Sequence, residues 1–303
     1  MEARIGFVGL GAMGLGMALN LQRKGFALTV HDVRPEPVAT LTAAGAENGG
    51  SIAGIARGCA VIVTMLPGSA EVEDAVLGAN GVLANAVQGT LVMDMSTVDP
   101  ATTDRMTQRL AVHGMRFVDA PVGRLASHAA AGESLFMVGA RAEDFATVKP
   151  LLEAMGTTIH HCGPPGAGIR TKLVNNFLAI GLCQMNAEAL TLAARFGLDL
   201  ETTLDVLNGT TATNGQLTLN YTSKVLRGDV EPGFTIDLAH KDMSLVVNAA
   251  NAAKVPLPSA AMVRESLSLA RAGGFGGKDF SALLDHWCER TRLAPVRLKG
   301  EHR

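Results

Sequence analysis

Residues Ile5 to Leu21 read "IGFVGLGAMGLGMALNL", and the fold turns on how this stretch is interpreted. Its 17 residues carry no charged side chain, which approaches the length of a membrane span. Two features argue against that reading. The stretch holds Gly6, Gly9, Gly11, Gly14 and Gly16, which weaken a lone helix, and Glu2 stands where a signal peptide carries positive charge. A short strand, a tight turn and a helix account for the pattern better.

Within it, "GLGAMG" places Gly9, Gly11 and Gly14 at the spacing of a dinucleotide-binding turn. Gly9 permits the tight turn, Gly11 lets backbone approach a pyrophosphate, and Gly14 lets helix pack on strand. The free N–H groups at the helix start then meet the phosphate charge. Asp32 ends the next apolar run, "ALTVHD", about twenty residues on, where its carboxylate can accept both ribose hydroxyls. That favours NAD, because a 2′-phosphate would face a negative charge. Arg34 either reaches a phosphate or lies in solvent before Pro35.

Working outward, the same alternation of strand and helix continues. The runs "CAVIVTML", "LVMDMS", "MRFVDA", "LFMVGA" and "TTIHHC" alternate with helical patterns such as Met17–Lys24, Glu71–Leu77 and Ala101–His113. That arrangement predicts a parallel sheet with helices on both faces, a Rossmann-type α/β domain over residues 1–164. "CGPPGAG" (Cys162–Gly168) is a stiff, helix-breaking boundary. Beyond it the β signal fades, and Ile169–Phe196 is one long helical pattern. Further helices are expected at Leu200–Leu207, Asp237–Ala253, with Asp237 as its cap, Ser259–Ala272 and Asp279–Glu289. Residues 165–293 should form an all-α domain joined through the long helix, and 294–303 a loose tail.

Composition narrows the chemistry. With 303 residues the chain can bury two cores, and its net charge of −2 makes nucleic acid an unlikely partner. Cys59, Cys162, Cys183 and Cys288 are scattered without a CxxC pair, as in a cytoplasmic protein with reduced thiols. The histidines lack ligand spacing, so neither a metal nor a membrane enters the expected inventory.

Three turns should share the rim of the sheet with the glycine loop: Leu66–Pro67, Ser96–Thr97 and Pro121–Arg124. In open α/β sheets ligands bind outside the carboxyl ends of the strands, so these turns line a candidate crevice. Arg124 is either a solvated loop residue or a guanidinium aimed at an anion. The long helix adds Lys172 and, one turn on, Asn176, with Asn175 beside it, among apolar neighbours. Buried polar groups need partners, so Lys172 either snorkels outward or is an ammonium held in a crevice to protonate a substrate oxygen. In "DLAHKDMSLVV", Lys241 is as well explained by a surface charge as by a site.

Taken together, "GFVGLGAMGLGMALNL", "DMSTVDP", "DAPV", "GIRTKLVNN" and "HKDMSLV" resemble the β-hydroxyacid dehydrogenase family over nearly the whole chain. The resemblance implies a homodimer or homotetramer in which Lys172 is catalytic and Asn176 assists it. It implies that Leu66 and Thr97 touch the nicotinamide end, that Ala12 and Met13 hold the pyrophosphate, and that Pro67 and Lys241 belong to the cofactor site, with Lys241 closing over it. Where most of the family carries Ser-Gly-Gly after "DAPV", this chain has Gly123, Arg124 and Leu125. That form is similar to the sulfolactaldehyde reductase branch, where the arginine and asparagines meet a sulfonate. By that likeness Gly123, Arg124, Asn175, Asn176, Ala179 and Ser96 line the pocket of a small anionic aldehyde or hydroxy acid. Ala179 stands where the branch has a serine.

Overall fold

The computed structural model describes residues 4–299. The chain divides into two compact units, Met1–Lys172 and Leu173–Arg303. Neither membrane alarm survives the fold. The glycine-rich opening stretch is strand Ile5–Val8 followed by helix Gly14–Arg23. The second apolar segment, helix Ala167–Arg195, is long enough to span a bilayer on length and composition. It instead places Ile180, Cys183, Ala187 and Leu190 in the core of the second unit.

The first unit is built on nine strands: β1 (Ile5–Val8), β2 (Leu28–His31), β3 (Glu47–Asn48), β4 (Val61–Thr64), β5 (Leu91–Asp94), β6 (Arg116–Asp119), β7 (Val122–Gly123), β8 (Ser134–Gly139) and β9 (Gly156–Gly163). They lie in the order β3-β2-β1-β4-β5-β6-β8-β7, with β9 also paired to β8. β1 to β6 run parallel. The order reverses between β1 and β4, which opens a crevice at the carboxyl ends of those strands. β8 departs from the all-parallel expectation, running antiparallel to β6 and β7.

Strand residues divide between two cores by parity, because successive side chains leave opposite faces of a sheet. Phe7, Val30, Val63, Met93 and Val118 pack on one face with Met17, Leu21 and Leu152. Val8, Ile62, Val92 and Phe117 pack on the other with Ile55, Val76 and Leu110. Both faces are covered by helices, so the strands read as unbroken apolar runs rather than alternating ones.

The second unit is helical. Helices Leu200–Asn208, Ile236–Ala252, Pro258–Ala272 and Leu283–Arg290 match the expected segments closely. Their core gathers Ile180 and Cys183 of the long helix with Tyr221, Met243, Leu267, Phe280 and Leu284. The buried Tyr221 hydroxyl donates to the Cys183 carbonyl across 2.6 Å, joining the π-helical turn Gln216–Tyr221, which periodicity did not announce, to the long helix.

By packing the chain divides after Lys172, because the start of the long helix is bonded into the first unit. Two expectations need correction. The described part of the tail is fastened rather than loose. Arg297 makes a bidentate pair with Asp285 at 2.6 and 2.7 Å, the Leu298 N–H donates to the Leu226 carbonyl, and Lys299 pairs with Asp199. Last, Thr235 rather than Asp237 caps helix Ile236–Ala252, its hydroxyl accepting from the Leu238 N–H. Asp237 pairs with Arg271 at 2.6 Å instead.

Candidate active site

The glycines of the first turn differ in what surrounds them. Gly9 has φ +94°, and a Cβ there would lie 2.2 Å from the Met65 carbonyl oxygen. A Cβ at Gly14 would lie 2.0 Å from the Gly9 carbonyl oxygen, so helix and turn touch backbone to backbone. Around Gly11 nothing stands within 4 Å of such an atom, leaving the open space a pyrophosphate needs. Helix Gly14–Arg23 starts with no side-chain cap and no acid in its first turn. Ala12 is exposed and Met13 half-buried beside that helix end. These residues fit a dinucleotide phosphate, whose charge would satisfy the leading N–H groups.

Asp32 closes the same turn. Its carboxylate accepts the Leu10 N–H at 2.6 Å and the Arg34 N–H at 2.8 Å. Burial works to raise its pKa, but those two N–H donors and the Arg34 guanidinium outweigh it and hold the carboxyl below its ordinary value. Arg34 folds back, Nε 3.3 Å from Asp32 and Nη2 3.2 Å from the Leu10 carbonyl oxygen. An ionised carboxylate with lone pairs to spare suits ribose hydroxyls.

Along the rim, buried Asp94 at the end of β5 accepts the Thr64 hydroxyl at 2.8 Å and the Ser96 N–H at 3.1 Å. Ser96 is itself buried, and its hydroxyl accepts the Leu66 N–H at 2.9 Å. Its visible work is therefore to set the loop carrying Leu66 and Pro67. Thr97 beside it is half-buried.

Asp119, at the end of β6, holds the long helix. Its Oδ1 accepts the Gly166 N–H at 2.6 Å and its Oδ2 accepts the Ile169 N–H at 2.7 Å. Burial pushes this carboxyl up to about 6, against the pull of those two donors and with Asp94 adding to the rise. The half-buried Lys172 follows within the next turn.

Arg124 stands in the left-handed region with φ +71°. Its guanidinium donates to the Glu133 carbonyl at 2.5 Å, the Thr157 hydroxyl at 3.1 Å and the Thr158 hydroxyl at 3.3 Å. Of its five N–H donors, Nε–H and one on Nη2 are not engaged in these bonds. Gly123 before it is buried, with Leu135 Cδ2 only 3.2 Å from where its Cβ would stand.

In the second unit the sequence missed a central residue, Asp242, which is buried. Its Oδ2 accepts the Asn176 amide N–H at 2.7 Å, and its Oδ1 lies 3.1 Å from the Lys241 ammonium. Asn176 in turn accepts from the Asn175 amide at 3.1 Å. A carboxylate only accepts, so the Asn176 nitrogen must face it, and the amide orientation is fixed. The signal available in the sequence was the pairing of Lys241 with an adjacent acid. Ala179, half-buried one turn beyond Asn175, offers no hydroxyl.

Comparison with known proteins agrees with this fold. Residues 4–163 match the family model described as the NAD binding domain of 6-phosphogluconate dehydrogenase. Residues 166–287 match that described as the NAD-binding domain of NADP-dependent 3-hydroxyisobutyrate dehydrogenase. The chain is 41% identical to 3-sulfolactaldehyde reductase of Escherichia coli K12, over 93% of this chain and 95% of that protein. It is 37% identical to 2-(hydroxymethyl)glutarate dehydrogenase of Eubacterium barkeri, over 96% of this chain and 97% of the relative. Among solved structures, Mycobacterium tuberculosis 3-hydroxyisobutyrate dehydrogenase with L-serine superposes with a TM-score of 0.84 at 30% identity, covering 94% of this chain and 99% of that one.

Proposed function

The chain belongs to the β-hydroxyacid dehydrogenase family, NAD-dependent oxidoreductases of CH–OH donors, and from that premise we propose that it reduces 3-sulfolactaldehyde to 2,3-dihydroxypropane-1-sulfonate. When bound, the reduced dinucleotide supplies the hydride. The Lys172 ammonium gives its proton to the aldehyde oxygen, neutralising the alkoxide as it forms. Asn176, its amide fixed by Asp242, orients the lysine or the substrate oxygen. The remaining N–H donors of Arg124, with Asn175, hold the sulfonate; charge-assisted bonds from a planar guanidinium suit an oxyanion.

One observation carries the reading. Within the first unit, the open glycine turn after β1 and the start of the Lys172 helix, bonded to Asp119 after β6, leave the same edge of the sheet. A dinucleotide site and a basic proton donor at one edge are what carbonyl reduction requires. Following NADH oxidation with a panel of sulfonated and carboxylated aldehydes tests it; turnover confined to carboxylated aldehydes would remove the sulfonate assignment.

A second reading keeps the chemistry and changes the anion to a carboxylate, as in succinic, methylmalonic or tartronic semialdehyde. It is favoured by the engagement of Arg124 with Glu133, Thr157 and Thr158 and by the missing hydroxyl at Ala179. The proposal extends to a homodimer or homotetramer in a cytoplasmic setting. Val174, Leu178, Met185, Leu192 and Phe196 lie exposed along one side of the long helix segment, an apolar stripe suited to a second copy. Light scattering of the parent and of Leu178→Glu would test that contact.

A further inference from the structure

The long helix, Ala167–Arg195, begins after a glycine. Gly166, the residue before it, has φ +91° and no side chain to offer the helix N–H groups. The acceptors come from 47 and 50 residues upstream, where both oxygens of Asp119 take the Gly166 and Ile169 N–H groups. Two glycines make this approach possible. A Cβ at Gly168 would lie 2.3 Å from the Met137 carbonyl oxygen, and one at Gly139 would lie 2.3 Å from Asp119 Oδ1. The helix start therefore rests directly on the ends of β6 and β8.

We infer that Asp119 is the positioning residue for Lys172: a cap supplied from the sheet fixes where the long helix starts, and so where its lysine stands one turn later. This rests on the reading of Lys172 as proton donor. The carboxylate costs the fold something to keep. It is buried, the Asp94 charge acts on it, and Arg170, which feels its charge, is itself paired at the surface with Asp104. A neutral residue would avoid that cost but could not accept two N–H bonds in this geometry. The exposed Arg170–Asp104 pair tethers the same turn but is of the kind that contributes little.

The experiment compares Asp119→Asn, Asp119→Ala and, as control, Asp104→Ala with the parent. Amide hydrogen exchange over residues 164–176 needs no substrate and reads the anchor alone. Exchange there should quicken by about tenfold or more in Asp119→Ala, the scale of a lost cap. With whichever aldehyde turns over, kcat should fall by about tenfold to a hundredfold while KM and NADH affinity move little, as expected for a displaced catalytic group. Asn, which keeps one acceptor, should retain more of kcat than Ala, and the control should stay near the parent. If Ala does not fold, Asn carries the test. Unchanged exchange, unchanged kcat, or an equal loss in the control would each overturn the inference. Failure of the proton-donor reading would show separately, as a Lys172→Ala variant that retains its rate.

Discussion

The side-chain amide of Asn176 donates to the buried carboxylate of Asp242 across 2.7 Å, and the same carboxylate pairs with the Lys241 ammonium. One acid thus ties two helices of the second unit together and sets the direction of an amide assigned to the reaction. Replacing Asp242 by Asn puts an N–H group against an N–H donor or an ammonium. A hydrogen bond to a charged group contributes about 1.5–3 kcal/mol, so kcat/KM should fall roughly tenfold to a hundredfold. Steady-state kinetics with NADH titrated separately would check it; parent-like kcat/KM would mean the network serves packing only.

Lys172→Ala should lower kcat by about 10² or more, the usual scale for a lost general acid. Binding of NADH, followed by fluorescence, should stay near the parent value. A variant that turns over at the parent rate would mean the proton comes from elsewhere.

Asp32 should enforce NADH over NADPH. Its carboxyl is held ionised by the Leu10 and Arg34 N–H groups, so a 2′-phosphate meets a full negative charge. Asp32→Ser should narrow the ratio of kcat/KM values between the two cofactors by about tenfold or more. Equal use of both cofactors by the parent would shift control of the pocket to Arg34.

Arg124→Ala should lose roughly tenfold to several hundredfold in kcat/KM for the sulfonated aldehyde, mainly through KM, because charge-assisted bonds hold the tail. Activity on carboxylated aldehydes should change less. Arg124→Gly separates backbone from side chain: with φ +71° at this position, glycine should fold about 1 kcal/mol more stably than alanine. A mutant that keeps the parent's substrate ranking would leave Arg124 as a structural clasp.

Asp119 gives stability a definite pH signature. Its pKa lies at about 6 in the folded chain against an ordinary value of 3.8, so the folded state holds its proton longer than the unfolded one. The stabilisation is complete below the unfolded pKa and is lost as pH rises through 6. A shift of this size corresponds to about 3 kcal/mol. Denaturant melts of the parent and Asp119→Asn at several pH values should show the parent losing ground between about pH 4 and 6 and holding steady above that. A difference that does not vary with pH would contradict the burial argument.

Much of the first unit was legible in the sequence because its strands are short, doubly buried and separated by turn residues. Gly9, Gly14 and Asp32 make their contacts locally or within a neighbouring turn, so the strand–turn–helix they form could be read from spacing. The direction of β8 was not legible, since an apolar run has the same period in either orientation. Nor were the bonds from Asp119 to the start of the long helix, which join residues some fifty positions apart. The role of Asp242 was not legible because the amide it accepts, that of Asn176, lies on another helix 66 residues away. Ser96, expected to line the substrate pocket, has a hydroxyl whose visible partner is the backbone of Leu66.

The left-handed backbone at Arg124 bears on how such an enzyme could change its diet. Glycine occupies that conformation freely, and glycine and arginine codons differ by a single base. A lineage carrying glycine there could acquire the guanidinium in one mutational step, at a modest folding cost and with no movement of the main chain. The reverse step would be equally short. Preference among anions would then drift by exchange of one side chain on a fixed loop, which makes this position a natural starting point for directed evolution of new aldehyde reductases.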